Sequence, residues 1–261
     1  MSKPSRPRGR RSQRGSKHTK VRTPRQPPTG GYDTKLDGPL VIIGDTHFPF
    51  SCPRWYDWMA EEIARIRPAY VAQIGDLYDN YFLSRHPKHL TVMAPDEEVA
   101  RGDAGAKQMW RDVRAAAPKA KCYQIRGNHD DRDIKRILAA APELEPLVDL
   151  RRRFEFANVS TTHDSFEELW LKDICIQHGY RKLGEHARYN QAPTVVGHLH
   201  RGDVRYYQNR RGVYWELNAG FGGDPGSPVF RYRNQKDIHM WTRGLGLVDD
   251  RGPHFLLMPG Q

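Results

Sequence analysis

Five apolar runs in this 261-residue chain each lead into a glycine that neighbours aspartate, asparagine or histidine, and this recurrence restricts the fold more than any other feature. The five segments are Gly44-Asp45-Thr46-His47, Gly75-Asp76-Leu77-Tyr78-Asp79, Gly127-Asn128-His129-Asp130, His178-Gly179 and Gly197-His198-Leu199-His200. Each follows a run short enough for a strand buried on both faces, and open α/β sheets bind ligands at the carboxyl ends of such strands. We therefore expect an α/β protein whose functional residues meet at one edge of its sheets.

The pattern of apolar residues alternates strands with helices in the first half of the chain and predicts mostly strands in the second half. Strands are predicted at 39–43, 70–74 and 121–125, and helices at 53–67, 96–117, 131–140 and 142–150. Later strands are predicted at 154–159, 169–177, 194–196, 204–208 and 213–217, with two segments at 245–248 and 254–258 closing the sheet. This order favours an α/β sandwich with a mixed central region.

The net charge of +11 is concentrated at the N-terminus, where the first 32 residues contain ten basic side chains and no acidic one. The rest of the chain contains 32 basic and 31 acidic side chains. Residues 1–36 are predicted to be a disordered basic arm, followed by one domain at 37–261. The arm could be a solubilising tail, a nucleic-acid tether or a targeting signal, and we favour nucleic-acid contact because ten cations would neutralise phosphates.

Other classes of protein are excluded by what the sequence lacks. It has no apolar run of about 18 residues, so no membrane span is predicted, and no apolar segment follows the basic N-terminus as in a secretory signal peptide. Its three cysteines, Cys52, Cys122 and Cys175, form no CxxC pair, which argues against both a disulfide framework and a thiolate zinc site. A reducing cytoplasm is the expected compartment.

The five segments contain seven side chains suited to binding metal ions: Asp45, His47, Asp76, Asn128, His178, His198 and His200. One ion takes roughly four to six such donors, so seven, with one carboxylate shared, suit two adjacent ions. Imidazole mixed with carboxylate favours manganese, iron or zinc over a pure magnesium or calcium site. Two ions about 3.5–4 Å apart clamp a phosphoryl group and activate water at neutral pH.

In their order along residues 41–200, these motifs resemble the calcineurin-like metallophosphoesterase superfamily, and within it the stand-alone enzymes of bacteria and their phages. The resemblance implies a four-layer α/β/β/α sandwich with a mixed central β-sandwich. It also implies a metal-dependent phosphoric ester hydrolase with two divalent ions, Mn first and Fe, Zn, Ni or Mg as alternatives. The compartment would be the host cytoplasm if the chain is phage-encoded.

The resemblance further implies a role for each motif residue. It assigns Asp45, His47 and His200 to the first ion, Asn128, His178 and His198 to the second, and Asp76 to both. His129 is then not a ligand but protonates the leaving oxygen or stabilises charge on it. Asp79 orients His129 by accepting its other ring proton.

For the substrate we expect a phosphodiester, in nucleic acid, because of the basic arm and because Gly75-Asp76-Leu77-Tyr78-Asp79 resembles the second motif of superfamily nucleases. The alternatives are a phosphomonoesterase acting on a phosphoprotein or nucleotide, and a non-catalytic binding module that keeps its metal as structure. Arg132, Arg181 and Arg201 lie beside motifs and could clamp substrate oxygens, but an ordinary surface arginine is the favoured interpretation of each. Specificity is expected to come from the loops at 80–95, 180–193 and 221–243.

Overall fold

Two mixed β-sheets form the centre of the molecule. The structure is a computed structural model, and it describes residues 31–86, 92–147, 150–231, 233 and 235–261. The strands are β1 (Leu40–Ile43), β2 (Tyr70–Ile74), β3 (Lys121–Ile125), β4 (Val159–Thr161), β5 (Leu169–Leu171), β6 (Ile174–Ile176), β7 (Thr194–Val196), β8 (Gly202–Asn209), β9 (Gly212–Ala219), β10 (Gly244–Asp249) and β11 (Gly252–Leu257). The helices are α1 (Pro53–Ile66), α2 (Pro95–Ala116), α3 (Arg132–Ala140), α4 (Glu185–Asn190) and α5 (Gln235–Ile238).

The first sheet has the order β11-β10-β1-β2-β3-β4, and the second has the order β5-β6-β7-β9-β8. Strands β1 to β4 are parallel, and the late hairpin β10–β11 joins them through an antiparallel pairing of β10 with β1. In the second sheet β6, β7 and β9 are parallel, while β5 and β8 pair antiparallel at its edges. Both sheets are therefore mixed, as the sequence predicts.

The central strands are apolar on both faces because each face is covered. On β1, Leu40 and Ile42 pack into the core between the sheets, where they meet Val195 and Leu217 of the second sheet. The alternate residues of β1 and β2 pack into a second core with α1 and α2, which contribute Trp55, Met59, Ile63, Met109 and Val113. The short α4 packs against β7 and β9 and completes the α/β sandwich as a thin outer layer.

Four of the predicted strands, at 39–43, 70–74, 121–125 and 194–196, are confirmed, as are the hairpin at 202–219 and the closing segments. Three predictions are wrong. The predicted helix at 142–150 is replaced by 3₁₀ turns at Pro142–Leu147 and Leu150–Phe154, since Pro142 and Pro146 lack the amide hydrogen of an α-helix. The predicted strand at 154–159 begins only at Val159, and the one at 169–177 is the hairpin β5–β6, because Asn158 and Lys172 turn the chain with φ of 59° and 54°.

Residues 1–30 lie outside the described residues, and with them most of the predicted arm. Tyr32, near the end of the predicted arm, is among the described residues. Its hydroxyl donates to the Gln191 carbonyl over 2.6 Å, and its ring lies 4.2 Å from the Arg211 guanidinium. Asp33 pairs with Lys172 at 3.2 Å. Residues 32 and 33 thus contact the turns of the second sheet, and the boundary at residue 36 stays a prediction.

Two further predictions concern the cysteines and membrane-spanning helices. The three cysteines are free, as the lack of a CxxC pair predicts, and all three are buried. No helix within the described ranges is long and apolar enough to cross a membrane.

Candidate metal centre

The five motifs follow five strand ends that face one another across the two sheets. Strands β1, β2 and β3 run parallel and end at Ile43, Ile74 and Ile125, and the first three motifs begin within two residues of those ends. Strands β6 and β7 run parallel in the second sheet and lead into the fourth and fifth motifs. The prediction that the polar segments meet at one edge of the sheets is confirmed by the clusters that they form.

One cluster consists of Asp45, His47, Asp76 and His200, whose candidate ligand atoms all lie within 4.8 Å of one another. The Nε2 atom of His200 lies 3.1 Å from Asp45 Oδ2 and 3.1 Å from His47 Nε2. All four side chains are buried. These are the residues that the resemblance assigns to the first ion, together with the shared aspartate.

A second cluster consists of Asp76, His178 and His198, again within 4.8 Å. Asn128 belongs beside it, because its Oδ1 atom lies 3.1 Å from His178 Nε2, which is itself 3.3 Å from Asp76 Oδ1. Asp76 is thus common to both clusters. The structure brings all seven predicted ligands together, and their division between two ions stays a prediction.

Hydrogen bonds outside the second cluster show that its atoms suit a cation. The Nδ1 atom of His178 lies 2.9 Å from the carbonyl oxygen of Ile74, which can only accept, so Nδ1 carries the proton. In the neutral ring Nε2 then presents a lone pair to Asn128 Oδ1 and Asp76 Oδ1. When Nε2 carries no proton, these three atoms are all acceptors that converge at 3.1–3.3 Å, and a divalent ion would satisfy all three in place of the proton.

The same reasoning holds for the first cluster, where Asp79 contacts two histidine rings. The Nδ1 atom of His47 donates to the carboxylate of Asp79 over 2.9 Å, which leaves Nε2 of His47 facing the cluster. The resemblance placed that carboxylate on His129, but Asp79 Oδ2 lies 3.7 Å from His129 Nδ1. The ring of His129 is held instead by the carbonyl oxygen of Asp79 at 3.0 Å. Asp79 therefore orients both histidines, one through its side chain and one through its main chain.

The electrostatics of the centre favour positive charge at the second cluster. Burial lowers the pKa of His178, but the carboxylates of Asp76 and Asp45 outweigh it and raise the pKa to about 10. Burial lowers the pKa of His198 to about 4 and that of His129 to about 3. Both rings are therefore neutral near pH 7, which is the form in which imidazole binds a metal.

Arg132 belongs to the centre, although the sequence favoured a surface interpretation for it. Its side chain is 16 % exposed, and its two terminal nitrogens lie 2.8 Å from the Asp79 carbonyl and 2.9 Å from His129 Nε2. The sequence feature that could have identified Arg132 is its position three residues after His129, at the first residue of α3. The start of that helix places both side chains on the same side.

Asp130 has a structural role that sequence reasoning missed. Its buried carboxylate accepts hydrogen bonds from the backbone amides of Gly127 at 2.7 Å, Tyr78 at 2.9 Å and Leu77 at 3.3 Å. These bonds tie the second motif to the third. The segment that carries Asp76 is therefore held in place by the residue that ends the Gly127-Asn128-His129-Asp130 motif.

The backbone of the centre is held in conformations that few residues other than glycine adopt. Four of the clustered residues have left-handed φ: Asp76 at 48°, His47 at 54°, His200 at 58° and His198 at 68°. A Cβ atom on Gly127 would lie 2.1 Å from the Asp76 nitrogen, and one on Gly197 would lie 2.4 Å from Asp45 Oδ1. Strained backbone of this kind persists where the surrounding packing enforces it, and it concentrates at functional sites.

Comparison with known proteins agrees with this geometry. The family model for the calcineurin-like phosphoesterases (Metallophos) matches residues 38–234. Among solved structures, the crystal structure of Chaetomium thermophilum Vps29 is similar at 11% identity and a TM-score of 0.40, covering 86% of this chain and 97% of that one. No curated protein matches the chain significantly in sequence. The matched range contains all five motifs and both clusters, and the chain therefore belongs to the calcineurin-like phosphoesterase family of metal-dependent phosphoric ester hydrolases.

Proposed function

We propose that the chain is a phosphodiesterase that acts on nucleic acid with two Mn²⁺ ions. The observation that carries the proposal is that two ligand clusters share Asp76. Two ions that share one carboxylate are close enough to contact a single phosphoryl group from both sides. All the clustered side chains offer nitrogen or oxygen, and imidazole together with carboxylate supports manganese.

The clusters support the ligand assignment that the resemblance implies. Asp45, His47 and His200 would hold one ion, Asn128, His178 and His198 the other, and Asp76 both. When bound, the two ions supply charge neutralisation at the phosphoryl group and an activated water for hydrolysis.

The chain's own residues then position and stabilise the reacting group. His129 lies at the border of the clusters, with Nε2 3.8 Å from Asp76 Oδ2. The guanidinium of Arg132 lies against that nitrogen and adds a fixed positive charge where a phosphate oxygen would approach. Arg132 would stabilise the charge that develops on the leaving oxygen, with its guanidinium positioned by the hydrogen bond to His129.

The orientation of a second arginine supports a diester over a monoester. Arg126 directly precedes the third motif, but its guanidinium turns away from the clusters and pairs with Asp131 at 2.9 Å and the His163 carbonyl at 3.0 Å. Within the described residues, Arg132 is the arginine whose guanidinium contacts His129. One such contact suits a diester, which carries a single charge, better than a monoester dianion.

The nature of the ester is tested by turnover of two chromogenic substrates. We expect the Mn²⁺-loaded protein to hydrolyse bis-p-nitrophenyl phosphate with a higher kcat/KM than p-nitrophenyl phosphate, and to cleave a labelled DNA or RNA oligonucleotide. Strong turnover of the monoester with both oligonucleotides intact would instead establish the phosphomonoesterase.

A further inference from the structure

A cavity of about 380 Å³ opens directly beside the metal centre. Besides His198 and His200 it is lined by Lys182, Leu183, Leu199, Arg201, Arg233, Asp237 and Trp241. We infer that this cavity binds the nucleotide next to the scissile phosphodiester, with the flanking phosphate of that nucleotide on Lys182 and Arg201. The inference rests on the proposed function and specifies its substrate as a chain of at least two phosphates.

The position of the cavity follows from three separate parts of the chain. Lys182 follows the fourth motif, Arg201 follows the fifth, and Trp241 lies just before β10. Since His198 and His200 belong one to each cluster and both line the wall, a phosphoryl group held between the clusters would direct one of its ester substituents into this space.

The charge of the cavity suits an anion. Its walls carry the three cations Lys182, Arg201 and Arg233 against one acid, Asp237. Lys182 is exposed and Arg201 is half-buried, and across the described residues neither side chain has a hydrogen bond or an ion pair. Cations that no protein acid neutralises are available to a phosphate.

The remaining wall suits a sugar and a base. Trp241 is half-buried, with its ring 4.3 Å from that of His200 at 83° and 4.9 Å from that of Phe221. These contacts fix the indole at the boundary between the cavity and the first ligand cluster. With Leu183 and Leu199 it gives an apolar surface, and the volume lies in the range of about 300–1,000 Å³ typical of small-molecule sites.

A substrate with a single phosphate has no second anion to reach Lys182 and Arg201, and this difference makes the inference testable. We would compare wild type with the double variant Lys182→Ala, Arg201→Ala on two substrates, bis-p-nitrophenyl phosphate and the trithymidylate TpTpT. The matched control is Arg210→Ala, because Arg210 is exposed and lies at the far end of β8 from Arg201.

We expect the double variant to lose about ten-fold in kcat/KM for TpTpT, mainly through KM, and less than two-fold for bis-p-nitrophenyl phosphate. The slope of log(kcat/KM) for TpTpT against log[salt] should become shallower by about one to two, one unit for each phosphate contact removed. The control variant should match wild type on both substrates. Equal losses on the two substrates, or no loss on TpTpT, would overturn the inference.

A binding measurement separates this inference from the proposed function. Fluorescence anisotropy of labelled TpTpT in EDTA reports on the cavity without turnover, and the full chain is used in every arm so that the N-terminal residues contribute equally. We expect about ten-fold weaker binding in the double variant than in the control variant. If wild type hydrolyses no diester but this difference persists, the proposed function fails and the cavity is still a nucleotide site. If the two variants bind equally, the cavity inference fails whatever the activity.

Discussion

The guanidinium of Arg132 donates to Nε2 of His129 over 2.9 Å, so the ring nitrogen that faces the metal clusters is an acceptor in this structure. A guanidinium cannot accept, and the Asp79 carbonyl at Nδ1 requires the ring proton there. His129 is therefore held in one tautomer from both sides. In this tautomer Nε2 has no proton to give to a leaving group, so His129 would first have to take up a proton at Nε2 after Arg132 had turned to the substrate.

Replacing Arg132 tests this relationship. We expect Arg132→Ala to lower kcat for bis-p-nitrophenyl phosphate by about 100-fold, as for loss of one fixed donor at a developing negative charge. Arg132→Lys should recover part of this, since an ammonium keeps the charge but not the geometry that contacts His129 and the Asp79 carbonyl together. The control is Arg136→Ala, an exposed arginine on the same helix, which should behave as wild type. An unchanged kcat for Arg132→Ala would show that Arg132 does not act in the reaction.

The hydrogen bond from His47 to Asp79 predicts that Asp79 acts on metal binding. An amide at this position can donate to the His47 nitrogen and favour the wrong tautomer, so Asp79→Asn should weaken Mn²⁺ binding by about 10- to 100-fold. Isothermal titration calorimetry measures this, with Asp57→Asn, an exposed substitution on α1, as the control. Wild-type affinity combined with lost hydrolysis would contradict this and assign Asp79 to the reaction.

The shared carboxylate is tested by Asp76→Asn. We expect a loss of hydrolysis on the order of 100-fold or more, together with a fall in bound metal measured by elemental analysis. His129→Ala should cost a similar factor while the metal content stays at the wild-type value, because His129 is not among the predicted ligands. Fully metal-loaded wild-type protein that hydrolyses no ester would instead support a non-catalytic binding module.

Glu98, which lies outside the ligand clusters, predicts a pH dependence of stability. Its carboxylate accepts from the amides of Tyr81 and Phe82, and burial raises its pKa to about 7 despite those bonds. A carboxyl whose folded pKa lies above its ordinary value near 4.5 stabilises the fold fully below that value, and this contribution is lost as the pH rises through 7.

The measurement is the Tm at pH 5 and at pH 8. We expect the decrease in Tm between these two values to be smaller in Glu98→Gln, which does not titrate, than in wild type. In a domain of this size 1 kcal/mol corresponds to about 2–4 °C, so the difference is resolvable. The same decrease in both proteins would show that Glu98 does not titrate in this range.

The basic N-terminal residues predict a salt-dependent contact with nucleic acid. Deleting residues 1–30 removes ten basic side chains and leaves the Tyr32 contacts in place. We expect weaker retention of DNA at low salt, because fewer counterions are released, and unchanged turnover of bis-p-nitrophenyl phosphate. Equal retention by the truncated and full chains would refute a nucleic-acid role for the arm.

Much of the metal centre could be predicted because each motif that carries metal ligands comes directly after a predicted strand in the sequence. Ile43, Ile74 and Ile125 end buried parallel strands, and parallel strands bring the residues that follow them to the same edge. The positions of Asp45, Asp76 and Asn128 therefore follow from local pattern. The errors at 142–150 and 169–177 arose where proline or a left-handed residue interrupted a run of otherwise regular apolar spacing.

The sequence by itself determined which seven side chains meet at one edge of the sheets, since each belongs to a motif that follows a predicted strand. Only the tertiary structure decided which partner each polar atom takes: the Asp79 carboxylate turns to His47, Arg132 turns inward to His129, and Arg126 turns away. The cavity between Lys182, Arg201 and Trp241 likewise exists only once distant loops pack together. The physical reason is that these directions depend on left-handed turns at residues such as His47 and Asp76, and packing across the fold holds those turns against their local preference.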